Sequence, residues 1–396
     1  MIKILSVFVF LSSTMLAQNL LQKSMNFDDF LDKAIQNSLY LKSSKIDIDK
    51  ATQQQKVLTR YQNPLLALEY SEFRPDNGDS KNGYRVEVMQ PVRLWGVGDD
   101  IDSLGQASKE KAQANYHLSR AQFIYSISLL FTKYAQKKEL HLLAEDEQSI
   151  ALRIYEIAQA RLDAGTISKG EMLQARVDFE MAEIRLDTLS LSVIDDYFSL
   201  LESAGYSSEV TLNHHYNFST KNTKIQESNP NIMLIKKSQE EAIAKSRVDT
   251  HKIEWMAVKA EYEKEPNEDI FRVGVVVPLA IFKSKKEEQR ISSLELDRVG
   301  FELKRNSDKI TLKIKKLHEE KILLQKLRAK NEQTLKTQEE LLLMFEDSYK
   351  IANINLLELQ DIKNRVIDTK KSLIKIKSTM DTNAINTNYT LGVYNE

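Results

Sequence analysis

The side chains that could do chemistry are dispersed along this sequence of 396 residues. There is no Cys, and the six His are scattered apart from the neighbouring pair His214-His215. Because neither a third His nor a ligand spacing accompanies this pair, a solvated loop is favoured over a metal site. His-Glu-x-x-His, Gly-x-Ser-x-Gly and phosphate-loop motifs are absent. The sequence therefore predicts no enzymatic activity, no metal site and no cofactor.

Three carboxylates stand out from the many solvated ones. Glu358 and Asp361 are about one helical turn apart, so their side chains can face the same direction. Glu171 is the matching acid 187 residues earlier. Two interpretations of Glu358 are equally favoured. The helix dipole stabilises an acid near a helix N-terminus, and a ring of carboxylates in a symmetric oligomer favours cations.

The elements that must position these acids occur twice, at an offset of 187 residues. Four matches in the same order carry the repeat: Tyr84-Arg85-Val86-Glu87-Val88 with Phe271-Arg272-Val273-Gly274-Val275, Pro91 with Pro278, Ile167-Ser168 with Ile354-Asn355, and Gly205 with Gly392. Repetition at one offset indicates a duplicated unit, which here is too long for a solenoid repeat.

Each copy combines very long helices with a short β part. Glycine and proline are scarce, at 11 and 6 residues, which permits long helices. Alternating apolar and polar residues predict strands at about 64–73, 84–92, 253–262 and 270–279. Long helical hairpins are predicted at about 97–204 and 284–380. The predicted fold is therefore mainly α, with helix, β-hairpin, long helix and helix occurring twice.

The N-terminus predicts export. One positive charge in Met1-Ile2-Lys3, the apolar stretch 4–16 and the small residue Ala17 are typical of a signal peptide over 1–17, rather than a buried helix. The remainder divides into repeat 1 (18–205), a polar connector (206–228) and repeat 2 (229–396). With 56 basic and 57 acidic residues, the net charge of −1 gives no support for nucleic-acid binding.

The predicted strands suit a membrane. Tyr84, Val86 and Val88 share one face, whereas Arg85 and Glu87 share the other, as in strands that face lipid on one side. A soluble coiled-coil rod would not explain such hairpins. Four strands cannot close a barrel, and open edges are not tolerated in lipid, so a membrane-inserted chain must oligomerise.

The segment Ala164-Gly165-Thr166-Ile167-Ser168-Lys169-Gly170-Glu171-Met172-Leu173-Gln174-Ala175 resembles a motif of the TolC-type outer-membrane efflux channels. The family pattern there is Gly, two residues, Ser, two residues, an acid, an aliphatic residue, Leu, any residue and Ala. The second copy, 352–361, keeps the acid but has Ala for Gly and Asn for Ser. The resemblance covers nearly the whole mature chain.

The resemblance implies a homotrimer in the outer membrane, whose twelve strands form one barrel and whose helices form a periplasmic tunnel. It implies an exit duct of a tripartite efflux or type I secretion system, for drugs, metal cations or proteins. The duct would work with a periplasmic adaptor and an inner-membrane pump. A periplasmic adaptor and a soluble scaffold are the alternatives. Adaptors, however, have one helical hairpin and glycine-rich β-domains.

The resemblance also implies roles for residues at the two helical turns. Glu358, Asp361 and Glu171 match acidic positions at the periplasmic mouth, and Tyr349 matches a tyrosine of the latch that keeps the mouth closed. Ile354 occupies the position of the family's latch arginine, so a salt-bridged latch is not expected. The residues expected to dock an adaptor are Gly165, Thr166, Ile167, Ser168, Ala352, Asn353, Ile354 and Asn355.

Overall fold

The computed structural model describes residues 24–74, 76, 78–221, 228–282, 284–351 and 353–395. The predicted signal peptide, 1–17, lies outside these residues. The helices are α1 (Phe27–Asn37), α2 (Leu39–Thr59), α3 (Val97–Asp163), α4 (Lys169–Ala204), α5 (Pro230–Thr250), α6 (Lys286–Lys350) and α7 (Leu356–Leu391), followed by a 3-10 turn at Val393–Asn395. The strands are β1 (Leu65–Phe73), β2 (Lys81–Arg93), β3 (Trp255–Lys264) and β4 (Asp269–Val276).

Two helices are very long, as the scarcity of glycine and proline predicts. Helix α3 has 67 residues and α6 has 65. Helix α6 is rich in charged residues and exposes much of its surface to water, whereas α3 buries apolar side chains along its length, among them Ile127, Phe131 and Ile154. No described helix is both long and apolar enough to cross a membrane.

The chain divides into two compact units. The first consists of 1–40, 120–227 and 310–396, and the second consists of 41–119 and 228–309. Among the described residues, the first is helical apart from connections and one parallel bridge between Met25 and Leu212, and the second carries the sheet. Each unit draws on both copies of the repeat, so the two copies are intertwined rather than separate domains.

The sheet of the second unit is antiparallel, in the order β1-β2-β3-β4. The two hairpins, one from each copy, join through β2 and β3, where Tyr84 pairs with Lys264 and Arg93 with Trp255. Strands β1 and β4 form the outer edges, with no strand beside them in the described part of the chain.

The register places side chains of one kind on each face of the sheet. One rung of the first face consists of Leu66, Val88, Ala260 and Val273. The opposite face carries ion pairs: Arg85 lies 3.1 Å from Glu69 and 3.3 Å from Glu263, and Lys259 lies 3.2 Å from Glu87 and 3.0 Å from Glu261. The sheet therefore has an apolar face and a charged face, because successive side chains of a strand point to opposite sides.

In the first unit, glycines cap the ends of two helices, and aromatic rings pack α1 against α3. Gly205 and Gly392 end α4 and α7 in the left-handed conformation, at φ values of 75° and 86°. This conformation favours glycine. Phe27 of α1 packs on Phe131 of α3 with ring centroids 4.6 Å apart. The paired glycines thus mark matching helix ends, as the repeat predicts.

Several details differ from the sequence-based prediction: α7 continues to Leu391, beyond the predicted limit of about 380, and β4 ends at Val276 rather than at about 279. The first helix is broken at Ser38 into α1 and α2. Strand β2 is longer than the predicted 84–92, since it begins at Lys81 and continues past Pro91 to Arg93. Strand β1 pairs with β2 only as far as Met89, so β2 is an edge strand on that side at Pro91, a position where proline is tolerated.

Candidate functional site at the helical turns

A buried apolar cluster lies beneath the two turns that connect α3 to α4 and α6 to α7, within the first unit. All four helices contribute to it: Ile154, Ala158, Ala175, Leu342, Tyr349, Leu356, Leu359, Ile362 and Val366 are buried members. Ile167 and Ile354, equivalent residues of the two copies, are partly buried against the same cluster. The two turns are therefore held together by one core.

The first turn is closed by backbone hydrogen bonds at Gly165, which adopts a φ of 71°. The Gly165 amide donates to the carbonyl of Leu162 (2.9 Å), and the Thr166 amide donates to that of Arg161 (2.9 Å). This pair of bonds is a Schellman motif, which satisfies carbonyls that a helix end would leave free. In the second turn the Asn353 amide donates to the carbonyl of Ser348 (2.9 Å), the equivalent of the Thr166 bond.

The helices after the turns begin with side-chain caps. The Ser168 hydroxyl accepts from the Glu171 amide (3.2 Å), and the Glu171 carboxylate accepts from the Ser168 amide (3.0 Å), so the two form a capping box. In α7 the Asn355 side-chain oxygen accepts from the Glu358 amide (3.0 Å), and its nitrogen donates to the Glu358 carboxylate (3.0 Å). Glu171 and Glu358 therefore both stabilise helix N-termini.

Arg161 contacts Tyr349 across the two hairpins. Its guanidinium lies 4.5 Å from the centroid of the Tyr349 ring and donates to the Tyr349 carbonyl (3.1 Å). Tyr349 is 1% exposed, and burial, the largest cause, raises its pKa above the ordinary value. The sequence-based prediction placed no arginine on Tyr349, because position 354 is Ile. The arginine comes from α3 instead.

Charged residues of α7 have partners of two kinds. Asp361 is exposed and lies 2.8 Å from Arg365, one turn later. Lys363 is completely buried and forms an ion pair with Asp178 of α4. Gln174 of α4 donates to Gln360 of α7 (3.2 Å). The carboxylate of Asp361 is thus partly neutralised within its own helix, whereas the Asp178–Lys363 pair links the two hairpins.

The expected docking residues have mixed environments. Ala352 lies outside the described residues. Ser168 and Asn355 are helix caps, and Ile167 and Ile354 pack on the buried cluster. Gly165, Thr166 and Asn353 are exposed. The structure adds two exposed apolar side chains that the sequence reasoning missed, Ile351 at 68% and Leu357 at 62% exposure. Their signal in the sequence is an apolar residue on each side of the second turn.

A sequence profile described as outer membrane efflux protein matches residues 30–206. No match was found among proteins of curated function. The resemblance to the TolC-type outer-membrane efflux family is therefore confirmed by sequence over the first copy of the repeat.

Solved structures share the fold over nearly the whole chain. The outer membrane protein VceC from Vibrio cholerae is similar with a TM-score of 0.77 and 14% identity, over 92% of this chain and 95% of VceC. CusC is similar with a TM-score of 0.76 and 12% identity, over 92% of this chain and 91% of CusC. The Campylobacter jejuni CmeC outer membrane channel is similar with a TM-score of 0.72 and 13% identity, over 92% of this chain and 85% of CmeC. At such identities the likeness concerns the fold: a mainly helical chain with a small antiparallel sheet.

Proposed function

We infer that this chain, whose residues 30–206 belong to the outer membrane efflux protein family, forms an exit channel through the outer membrane. The observation that carries this proposal is the sheet with one apolar and one charged face, on a fold shared with outer-membrane channels. An apolar face exposed to water would be unfavourable, whereas the same face in contact with lipid tails is stable.

The exposure of the apolar face supports membrane insertion. Leu68 is 70% exposed, and Phe271, Val273 and Val275 are exposed to a similar extent. The ion pairs of Arg85 and Lys259 lie on the other face, where a water-filled lumen would solvate them. We propose that three copies place β4 of one chain beside β1 of the next. The twelve strands then close into a barrel with no free edge.

A second apolar surface supports the trimer. Helix α4 exposes Val177, Met181, Ile184, Leu191, Ile194 and Phe198, each between 46% and 70% exposed. These residues are spaced by four, three, seven, three and four, which is the heptad spacing of helices that pack side by side. A second copy of this chain would cover this stripe and continue the helical wall of a periplasmic tunnel.

The helical turns are proposed as the periplasmic mouth of the channel. Three copies would place Glu358 and Asp361 around the symmetry axis as acidic rings, with Glu171 between the hairpins. The turn residues Gly165, Thr166, Asn353 and their neighbours would contact a periplasmic adaptor, which links the duct to an inner-membrane pump. Docking would open the mouth by separating the hairpins. The energy would come from the pump.

The test is an assay of assembly and conductance with the full-length protein. The protein should be recovered from outer membranes only with detergent, migrate as a trimer on an unheated gel and form channels in planar bilayers. Recovery as a soluble monomer without conductance would overturn the proposal in favour of a helical scaffold. If the trimers form channels but bind no adaptor, the proposed channel stands and the proposed docking of an adaptor is wrong.

A further inference from the structure

The connector between the two copies brings metal-ligating side chains together. His214 and His215 of the connector lie beside Glu139 of α3, and one ligand atom of each lies within 4.8 Å of the others. His215 Nδ1 is 3.4 Å from Glu139 Oε1, and His214 Nε2 is 4.0 Å from the same oxygen. The third group that the sequence lacks near the His pair is thus supplied by a distant helix.

The half-buried ring of His214 has a buried nitrogen without a partner. The side chain of His214 is 16% exposed, and its Nε2 makes no hydrogen bond within the described ranges. A distance of 4.0 Å to Glu139 is too long for a hydrogen bond. Leaving a buried polar atom without a partner costs about 1–3 kcal/mol. A cation bound between the ring and the carboxylate would satisfy this atom.

The carboxylate of Glu139 is already arranged for a cation. Lys377 of α7 places its ammonium 3.4 Å from Glu139 Oε1, the oxygen that both His rings face. The Lys377 ammonium pairs with Glu139, but it makes no hydrogen bond to His214 Nε2 among the described residues, so it neutralises Glu139 without satisfying His214. A metal ion would do both, and it would compete with Lys377 for the same oxygen.

We propose that Glu139, His214 and His215 form a binding site for a divalent transition-metal ion, with Zn²⁺ as the representative. Two imidazole nitrogens and one carboxylate suit Zn²⁺ and its neighbours better than Ca²⁺ or Mg²⁺, which prefer oxygen ligands. Ligand atoms around tetrahedral Zn²⁺ are about 3.3–3.4 Å apart. The 3.4 Å separation of His215 and Glu139 fits this value, and the 4.0 Å separation of His214 requires a small closure.

The bound ion would connect the connector to α3 inside the first unit, and the fourth position would be open to water. This role does not depend on the proposed channel. Metal binding is measured on the purified protein, and conductance is a separate measurement, so failure of one leaves the other standing.

The experiment is equilibrium dialysis of the full-length protein against Zn²⁺, in detergent and without a polyhistidine tag, with metal counted by mass spectrometry. We expect one ion per chain. His214→Ala with His215→Ala should weaken binding by at least about tenfold, because two of three ligands are lost. Lys377→Met should tighten binding, since a competing cation is removed. His318→Ala, an exposed His of α6, is the matched control and should bind as wild type.

A single variant, His215→Ala, separates a loss of metal binding from a loss of folding. His215 is 65% exposed, so His215→Ala should leave the thermal unfolding of the metal-free protein unchanged while weakening binding. Replacing Zn²⁺ by Co²⁺ should give visible absorption bands that His215→Ala shifts or removes. Binding that is unchanged in the double variant would overturn the proposal, as would Co²⁺ bands that are identical in wild type and His215→Ala.

Discussion

Arg161 contacts Tyr349 in two ways at once. Its guanidinium lies 4.5 Å from the centroid of the ring, and its Nη1 donates to the main-chain carbonyl at 3.1 Å. The two residues belong to different copies of the repeat, so this contact joins the two helical hairpins. The Tyr349 hydroxyl is near the guanidinium, but it makes no hydrogen bond of ordinary geometry among the described residues.

The first prediction concerns this contact. Arg161→Ala should destabilise the first unit by about 1–2 kcal/mol, the sum of a cation–π contact and a hydrogen bond. If the turns close the mouth of the channel, the same variant should raise the resting conductance in planar bilayers.

Arg161→Lys and Tyr349→Phe test the geometry of the same contact. Arg161→Lys keeps the charge but loses the planar group, so an intermediate effect is expected. Tyr349→Phe keeps the ring and the carbonyl, so its effect should be small. A larger effect of Tyr349→Phe than of Arg161→Ala would mean that the hydroxyl, not the ring, makes the contact.

The second prediction concerns the apolar face of the sheet. Val86→Arg and Val273→Arg each place a charge toward lipid, at a cost of about 2–4 kcal/mol near the membrane centre. Both variants should accumulate less in the outer membrane. Ala67→Arg is the control, because Ala67 is paired with Glu87 on the charged face. Equal levels of all three variants would contradict the assignment of the faces.

The third prediction concerns docking at the first turn. An added Cβ at Gly165 has no atom within 4 Å, but the φ of 71° strains most side chains. Gly165→Asn is the control with little strain and little added bulk, because Asn tolerates this conformation. Gly165→Trp adds bulk, so it should abolish efflux while Gly165→Asn retains it. Unchanged drug or metal tolerance with Gly165→Trp would mean that an adaptor does not approach this turn.

Local signals predicted much of the fold. Gly205 and Gly392 mark helix ends because glycine accepts the left-handed conformation at no cost. The hairpins follow from side chains that alternate along each strand. The long helices follow from the scarcity of breakers.

Contacts between distant residues were not predictable in this way. Arg161 and Tyr349 are 188 positions apart, and only the packing of two hairpins brings them together. Likewise, Pro91 lies inside β2 where β1 no longer pairs with it, and only the register of the two strands shows this. The same limit hid Glu139 beside the His pair.

The fourth prediction concerns pH. Burial raises the pKa of Asp381 from 3.8 to about 6, while its carboxylate accepts from the Phe218 amide at 3.0 Å. The folded state thus binds this proton more tightly than the unfolded state does. The contribution of protonated Asp381 to the stability of the folded state is complete below about pH 4 and is lost as the pH rises through about 6.

Asp381→Asn should remove this dependence, because the amide oxygen can still accept from Phe218. The unfolding temperature of Asp381→Asn minus that of wild type should be larger at pH 8 than at pH 4. Asp368→Asn, an exposed acid in the same helix, is the control. An equal difference between wild type and Asp381→Asn at both pH values would mean that Asp381 ionises normally.

The last prediction concerns the acids at the second turn. Asn355 donates to Glu358 and Arg365 pairs with Asp361, so neither carboxylate is free of partners. If three copies nevertheless surround an axis, Glu358→Gln with Asp361→Asn should lower the cation preference in planar bilayers and remove block by trivalent cations. Glu171→Gln should alter closure more than selectivity.

Arg365→Ala provides the opposite test. It removes the partner of Asp361 and should increase cation preference, because three carboxylates lose their neutralising charge. Both effects should weaken at high salt, since the Debye length is about 8–10 Å near physiological ionic strength. If the double variant keeps the reversal potential of wild type and Arg365→Ala does not shift it, Glu358 acts only in the helix cap and Asp361 only in its ion pair with Arg365. Selectivity would then arise from other residues of the channel.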